Sequence, residues 1–294
     1  MNFEKIEMMR SKKGFIAALD QSGGSSGKTL SLYGISNDEY ETEEEMFELI
    51  HEMRKRVIKS SCFTSEKIIG VILFEKTMNS KIDGLYTSDY LWNKKILSFL
   101  KIDKGLSTLE DGVMLMKDIE NIDNILQSAK MRNIFGTKMR SVIKNANRTG
   151  IKKVVKQQFS IAKKVLEYGL VPIIEPEVDI ESINKEECEK ILKEEIKSEM
   201  ENLKSDAKIM FKFTIPSIDN FYSDLMKDER VVRIVALSGG YSKDEACLKL
   251  KNNNGMIASF SRALLEGLNV NDTEEKFNNK LKNTIDEIYF ASIT

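Results

Sequence analysis

KIMFKFTIP, residues 208–216, has the pattern of an apolar β-strand with one lysine, Lys212, at its centre. Successive side chains of a strand point to opposite faces, so its isoleucines and phenylalanines share one face, while Lys212 shares the other with Met210 and Thr214. If the strand belongs to a closed barrel, the bulky face meets the surrounding helices and Lys212 points into the lumen, where water is scarce.

A lysine in a barrel lumen has two explanations. In one, it forms a buried ion pair that only holds the barrel together. In the other, burial and cationic neighbours leave its amine free to attack a carbonyl carbon. The strand alone leaves both explanations open.

Seven further short apolar runs, with amphipathic segments between them, predict the rest of the sheet. The eight runs cover residues 15–20, 69–75, 98–103, 134–140, 170–177, 208–215, 231–238 and 256–262. Apolar residues at helical spacing predict helices between them, for example from Met46 to Val57 and from Val155 to Leu166, and a closing helix from Phe277 to Ile288. Such alternation is typical of a parallel (β/α)₈ TIM barrel.

The few chain-breaking residues and the helix-capping motifs support one barrel. Only three prolines occur and no linker or low-complexity stretch interrupts the pattern, so we expect a single domain over residues 1–294. Thr42-x-x-Glu45 and Ser242-x-x-Glu245 fit capping boxes at helix starts. The long segment between the first two strands predicts an extra helix or loop over the barrel mouth.

Composition restricts the class of partner. The 45 basic and 46 acidic residues are interspersed, which argues against a nucleic-acid or membrane-surface binder and favours a small molecule. Neither a signal-peptide pattern nor a run of about 18 apolar residues occurs, so we expect a cytoplasmic protein. The sequence does not give the subunit number, and a homo-oligomer stays open.

Histidine and cysteine content narrows the chemistry. The one histidine, His51, lies in a helical pattern and is expected on a helix surface. Catalytic zinc sites usually take two or three imidazoles, so we expect no metal and no cofactor. The three cysteines, Cys62, Cys188 and Cys247, are far apart without metal-type spacing and are expected to be reduced thiols with no role in the site.

Charged residues concentrate where five of the predicted strands end. In such barrels catalytic groups sit at the carboxyl ends of the strands, and charges buried elsewhere are costly. The eight groups sum to four positive and four negative charges, so a neutral polar mouth needs no metal. This concentration favours a catalytic site over a packing role. The residues are Asp20, Lys101, Asp103, Lys138, Arg140, Glu175, Glu177 and Lys212.

Two segments after the last strands predict a phosphate site. LSGGYS, residues 237–242, precedes a predicted helix, so its backbone N–H groups and the helix amino terminus can hold an anion. SFSR, residues 259–262, adds hydroxyl groups and a guanidinium. The loops after strands seven and eight are the usual phosphate site of this fold. The candidate ligands are Ser238, Gly239, Gly240, Ser259, Ser261 and Arg262.

A second turn rich in glycine and serine, residues 20–28, follows the first strand. Its Gly27-Lys28-Thr29 matches the end of a P-loop, but the motif would need glycine where Ser22 stands. We interpret it as a small-residue cradle for substrate, with Ser22 and Ser25 as candidate contacts.

Seven of these segments together resemble the class I (Schiff-base) fructose-bisphosphate aldolases, in their short bacterial form. The resemblance spans essentially the whole chain. The segments are AALDQS, LKIDKG, GTKMR, PIIEPE, KFTIP, LSGG and SFSRAL.

The resemblance implies a role for each candidate residue. Lys212 would form the iminium with the substrate ketone, and Glu175 would be the general acid and base. Lys138 and Asp20 would assist near the carbinolamine and the cleaved bond. Glu177 would belong to the catalytic group, and Lys101 and Arg140 would line the site. The phosphate of the ketone half would be held by Ser238, Gly239, Ser261 and Arg262.

Two departures from the family pattern are visible. Vertebrate members carry glutamate where this chain has Gln21, and they end in a mobile tail with a terminal tyrosine that is absent here. The expected activity is reversible, metal-independent cleavage of fructose 1,6-bisphosphate. The alternatives are a Schiff-base aldolase for another ketose bisphosphate, such as tagatose 1,6-bisphosphate, and a non-catalytic sugar-phosphate-binding protein.

Overall fold

Eight parallel strands form the centre of the computed structural model, which describes residues 2–22 and 24–294 and, of Gly24 and Ser25, the backbone alone. Neighbours along the chain are neighbours in the sheet. The amide of Ala18 donates to the carbonyl of Phe260 at 3.1 Å and joins the last strand to the first. The predicted (β/α)₈ TIM barrel is confirmed. Its strands are β1 Phe15–Leu19, β2 Ile68–Leu73, β3 Leu97–Lys101, β4 Gly136–Ile143, β5 Val171–Val178, β6 Ile209–Thr214, β7 Val231–Leu237 and β8 Ile257–Ala258.

Helices surround this barrel and cover one of its ends. They are α1 Phe3–Ser11, α2 Gly24–Tyr33, α3 Glu43–Lys59, α4 Glu75–Asn79, α5 Thr87–Asn93, α6 Ile122–Met131, α7 Arg148–Glu167, α8 Lys185–Glu201, α9 Lys243–Lys251, α10 Arg262–Leu265 and α11 Glu274–Ala291. Short 3₁₀ turns span Asn37–Glu39 and Leu225–Lys227, and short antiparallel strands span Lys81–Ile82, Leu85–Tyr86 and Val113–Met114.

Helix starts follow the predicted chemistry. Thr42 and Glu45 form a reciprocal capping box at the start of α3. Ser242 caps α9 by accepting from the amide of Glu245 at 3.3 Å. The segment between β1 and β2 contains the expected extra helix, α2. No helix within the described ranges 2–22 and 24–294 is long and apolar enough to cross a membrane.

Two apolar layers confirm the predicted faces of β6. Phe211 and Phe213 belong to the layer between the sheet and the outer helices. Met210, by contrast, packs inside the barrel with residues of the other strands and with Met9 of α1. Because α1 contributes to the inner layer, it covers the amino-terminal end of the barrel. The carboxyl ends of the strands are left for the site.

β8 is much shorter than the predicted run 256–262. Only Ile257 and Ala258 pair as a strand, although the amide of Ser259 still donates to Ala236 at 2.7 Å. Ser261 then has helical-region dihedrals (φ −110°, ψ −76°) and begins the short helix α10. The prediction that residues 259–262 continue the strand is therefore wrong, because the chain turns there across the barrel mouth.

The carboxyl terminus lies away from that mouth. Ser292, just after α11, accepts a hydrogen bond from the amide of Ala258 at 3.0 Å and is buried. The carbonyl of Thr294 accepts from the amide of Gly255, which precedes β8, at 3.3 Å. The last residues therefore lie at the amino-terminal end of the barrel, opposite its mouth.

Candidate active site

A cavity of about 330 Å³ lies at the carboxyl ends of the strands, where the charged residues were predicted to meet. It is lined by residues of seven barrel strands or the turns that follow them, and of α2. Its lining is Asp20, Gln21, Ser22, Lys28, Thr29, Leu32, Lys101, Lys138, Arg140, Glu175, Glu177, Lys212, Leu237, Ser238, Gly239, Ser259, Ser261 and Arg262.

Four charged side chains form a continuous row across the floor of this cavity. Lys212 Nζ lies 3.3 Å from Glu175 Oε1, and Lys138 Nζ lies 3.1 Å from Glu175 Oε2. Lys138 Nζ also lies 2.8 Å from Asp20 Oδ2. Each of the four side chains is less than 10% exposed. Charges alternate along the row, so each carboxylate has a cation beside it.

Glu175 keeps hydrogen-bonding capacity in spite of these contacts. Its Oε2 atom, although 3.1 Å from the Lys138 ammonium, has no hydrogen-bond partner with acceptable geometry among the described residues. The contact with Lys138 is therefore an ion pair rather than a hydrogen bond. An ionised carboxylate oxygen in this state can accept a proton or a hydroxyl hydrogen bond.

The neighbouring carboxylates keep Lys138 in its charged form. Burial alone would lower the pKa of Lys138, but the carboxylates of Asp20 and Glu175 outweigh burial and raise that pKa well above its usual range. Burial would raise the pKa of Asp20, yet Lys138 and Lys212 hold it below its usual range. Lys138 therefore stays a cation at neutral pH. As a permanent cation, it is a poor nucleophile.

The sheet pairing between β5 and β6 stops just before Glu175. β5 pairs with β6 only at Ile173 and Ile174, whereas it pairs with β4 along its whole length. Pro176 cannot donate to a ladder, and beyond this point side chains replace the ladder bonds. Gln158 of α7 donates to the carbonyl of Glu175 at 3.0 Å, and Thr214 donates to the carbonyl of Val178 at 2.5 Å.

Two further ion pairs lie at the rim of the cavity. Arg140 Nε lies 2.5 Å from Glu177 Oε2, and both residues line the cavity. Lys138 and Glu175, two residues earlier on the same strands, belong to the row on its floor. Lys101 Nζ lies 2.9 Å from Asp103 Oδ1. Asp103 itself does not line the cavity.

The loop after β7, the predicted phosphate segment, makes a tight turn beside the cavity. The amide of Tyr241 donates to the carbonyl of Ser238 at 2.9 Å. Gly239 and Gly240 have φ values of +63° and +125°, which L side chains rarely adopt, and a Cβ on Gly239 would lie 2.8 Å from Ile180. These glycines let the backbone turn toward the cavity.

Two predicted contacts are placed differently from the rest. Gly240 lines a neighbouring cavity of about 280 Å³ instead, with Arg262, Gln21, Thr29, Leu32 and Ser238 in the walls of both cavities. The side chain of Ser25 lies outside the described part of the chain, although its backbone is in α2. Apart from Asp103, the other predicted site residues all line the main cavity.

Several residues of the site escaped the sequence analysis. Lys28, Thr29 and Leu32 of α2 line the cavity. Gly27-Lys28-Thr29, which matches the end of a P-loop, is the available signal in the sequence, whereas the prediction for this segment covers only Ser22 and Ser25. Gln158, which supports the backbone of Glu175, carried no signal in the sequence pattern.

The remaining polar candidates lie apart from the cavity. His51 in α3 is only half-buried and its Nε2 lies 3.4 Å from the carbonyl of Lys81. The cysteines are free thiols, with Cys188 and Cys247 buried and Cys62 half-buried. Within residues 2–22 and 24–294, no three His, Cys, Asp or Glu side chains are grouped as a metal site.

Comparison with known proteins adds three findings. The sequence model of the class I fructose-bisphosphate aldolase family matches residues 4–217. The "Fructose-bisphosphate aldolase class 1" of Clostridium acetobutylicum is 60% identical over 295 residues, which cover 100% of each chain. A Plasmodium falciparum fructose-bisphosphate aldolase, solved in complex with TRAP and a small-molecule inhibitor, superposes with a TM-score of 0.74 over 98% of this chain and 92% of that one, at 19% identity. That structural likeness concerns the fold alone.

Proposed function

Because this chain belongs to the class I fructose-bisphosphate aldolases, a family of carbon–carbon lyases, we propose that it cleaves fructose 1,6-bisphosphate through a Schiff base on Lys212. The products would be dihydroxyacetone phosphate and glyceraldehyde 3-phosphate, and the reaction would be reversible. The observation that carries the proposal is the buried row Asp20–Lys138–Glu175–Lys212, in which a carboxylate stands between two lysines.

Of the two lysines beside Glu175, Lys212 is the proposed nucleophile. Its amine adds to the C2 ketone to give a carbinolamine, which loses water to give an iminium ion. Lys138, held as a cation by Asp20 and Glu175, supplies positive charge next to the oxygen that develops negative charge during the addition. The roles of nucleophile for Lys212 and fixed cation for Lys138 follow from their neighbours, since Lys138 contacts two carboxylates and Lys212 contacts one.

Glu175 is the proposed base for carbon–carbon cleavage. It takes the proton of the C4 hydroxyl while the electrons of the C3–C4 bond move into the iminium, leaving an enamine and releasing glyceraldehyde 3-phosphate. The Oε2 atom without a hydrogen bond provides the acceptor for that proton. Protonation of the enamine at C3 and hydrolysis of the imine then release dihydroxyacetone phosphate and restore the amine of Lys212.

The charged rim would orient the two phosphates. Ser238, the backbone of Gly239, Ser261 and Arg262 follow the paired strands β7 and β8, line the cavity, and suit the phosphate of the ketone half. Lys101 and Arg140 line the same cavity and add positive charge toward the other half. Glu177 would hold Arg140 in place through its ion pair.

Steady-state kinetics with two substrates tests this function. Fructose 1,6-bisphosphate should be cleaved with a higher kcat/KM than tagatose 1,6-bisphosphate. The opposite order would assign the chain to the other ketose. A non-catalytic sugar-phosphate-binding protein would bind either sugar without releasing a triose phosphate, and that result would refute the proposal. Since its substrate is a phosphorylated metabolite, we place the activity in the cytoplasm.

A further inference from the structure

A buried arginine lies directly behind the cavity. Arg54 of α3 is 1% exposed. Its Nη1 donates to Thr77 Oγ1 at 2.6 Å, and its Nη2 donates to the carbonyl of Gln21 at 2.5 Å and to Gln21 Oε1 at 3.2 Å. No carboxylate of residues 2–22 and 24–294 lies within ion-pair distance of Arg54. A buried cation held only by neutral acceptors is unusual, because burying a charge without an opposite charge beside it costs free energy.

This arginine fixes which way the Gln21 amide points. Burial lowers the pKa of Arg54 to about 9, against the opposing effect of Asp20, so the guanidinium is protonated at neutral pH and only donates. The Gln21 atom that faces it must therefore be the oxygen. On the other side, the amide nitrogen lies 3.4 Å from the carbonyl of Ala18, which only accepts. Both neighbours demand the same orientation.

The orientation of Gln21 determines the role of Ser261. Gln21 Nε2 donates to Ser261 Oγ at 2.7 Å. The Ser261 oxygen is thus an acceptor toward Gln21, and its own proton points elsewhere. No acceptor for this proton is found in the part of the chain that the structure describes. Because Ser261 lines the cavity beside Arg262, the proton is available to an anion bound there.

We infer that Arg54 and Gln21 are positioning residues that make Ser261 a hydrogen-bond donor to the phosphate on the ketone half of the substrate. This inference rests on the proposed function and deepens it. A carboxylate at position 21 would reverse the direction, because it has no proton to donate and would accept the Ser261 proton instead. It would also pair with Arg54, so the Gln21→Glu variant should fold. Gln21 then determines, through Ser261, how tightly this chain holds the phosphate of a phosphorylated ketone.

We call the two hydrogen bonds from Arg54 to Gln21 and from Gln21 to Ser261 the relay. Schiff-base trapping with two ketones tests whether the relay makes Ser261 a donor to the phosphate. Each protein is incubated with borohydride and either dihydroxyacetone phosphate or unphosphorylated dihydroxyacetone, and the half-saturating ketone concentration for trapping is measured. Gln21→Glu should raise this concentration by about 10- to 100-fold for the phosphorylated ketone, the range for loss of a hydrogen bond to a charged group. It should leave the value for dihydroxyacetone within about twofold, because that ketone has no phosphate to contact Ser261.

A double-mutant cycle separates the relay from simple repulsion by the new charge. Ser261→Ala should weaken trapping by dihydroxyacetone phosphate to a similar degree, while Ser261→Thr, which keeps the hydroxyl, should restore most of it. Adding Gln21→Glu to Ser261→Ala should then cost little more. Equal costs of Gln21→Glu in both backgrounds would indicate direct repulsion and overturn the relay.

Two other outcomes are decisive. If the wild-type protein is trapped but Gln21→Glu binds both ketones as the wild type does, the relay alone is wrong. If neither ketone is trapped by the wild-type protein, the proposed function fails and the relay fails with it.

Discussion

Replacing Lys138 by methionine removes the cation that separates two buried carboxylates. Lys138 is 4% exposed, and its ammonium lies 2.8 Å from Asp20 and 3.1 Å from Glu175. Breaking a buried pair by removing one partner typically costs about 3–5 kcal/mol of unfolding free energy. Lys212 still contacts Glu175 and acts on Asp20, so we expect the lower end of this range, about 3 kcal/mol at pH 7.

The same change should reverse the effect of pH. In the wild type the pKa of Asp20 lies below its unfolded value, so its stabilising contribution is complete above about pH 4 and is lost as the pH falls. Without Lys138, burial is less opposed and the pKa of Asp20 moves up. A raised carboxyl pKa stabilises the protein below the unfolded pKa, and this contribution is lost as the pH rises.

Urea unfolding at pH 5 and pH 7 measures both effects. The deficit of Lys138→Met should shrink by at least about 1 kcal/mol at pH 5, which corresponds to a shift of roughly one pKa unit. Lys104→Met is the matched control, since Lys104 pairs with Glu75 at 2.9 Å but both side chains are more than 40% exposed. That variant should lose less than about 1 kcal/mol at either pH. Two results would refute the argument. One is a loss of unfolding free energy in Lys138→Met that is as small as that in Lys104→Met. The other is a loss that is equal at both pH values while the slope m of unfolding free energy against urea concentration is unchanged.

Three further perturbations address the chemistry and the chain end. Glu175→Gln should lower kcat by about 10²- to 10⁴-fold with little change in KM, because an amide cannot take the C4 proton, whereas Arg262→Ala should mainly raise KM; one kinetic signature for both would contradict these roles. Exhaustive dialysis against EDTA should leave kcat unchanged, since one histidine does not supply a usual zinc site; turnover that is lost and then restored by zinc would contradict this. Ser292→Ala should lower the unfolding free energy by about 1–2 kcal/mol, because the Ala258 amide loses its acceptor, and should keep kcat within twofold; a selective loss of kcat would show that the chain end influences the site.

Strand periodicity accounts for what the sequence predicted well. Alternation along residues 208–216 placed Phe211 outside and Lys212 inside, and the structure agrees, because one strand face must pack against helices while the other fills a narrow lumen. Charges at strand ends were expected to converge because parallel strands present their carboxyl ends to one edge. The row from Asp20 to Lys212 is that convergence.

Long-range contacts account for what the sequence did not predict. Met53-Arg54-Lys55-Arg56 offers three adjacent cations, and only the packing of α3 selects Arg54 for the interior. Gln158 looks like an ordinary helix residue until its partner, the carbonyl of Glu175, is known. The early end of β8 depends on the turn at Ser261, which local propensity does not reveal.

Borohydride trapping followed by peptide mass mapping tests the central claim, a Schiff base on Lys212. The protein is incubated with dihydroxyacetone phosphate, reduced and digested. One reduced triose phosphate should appear on the peptide that contains Lys212, because Lys138 is held as a cation between Asp20 and Glu175. Label on Lys138 or Lys101, or no label at all, would contradict the account.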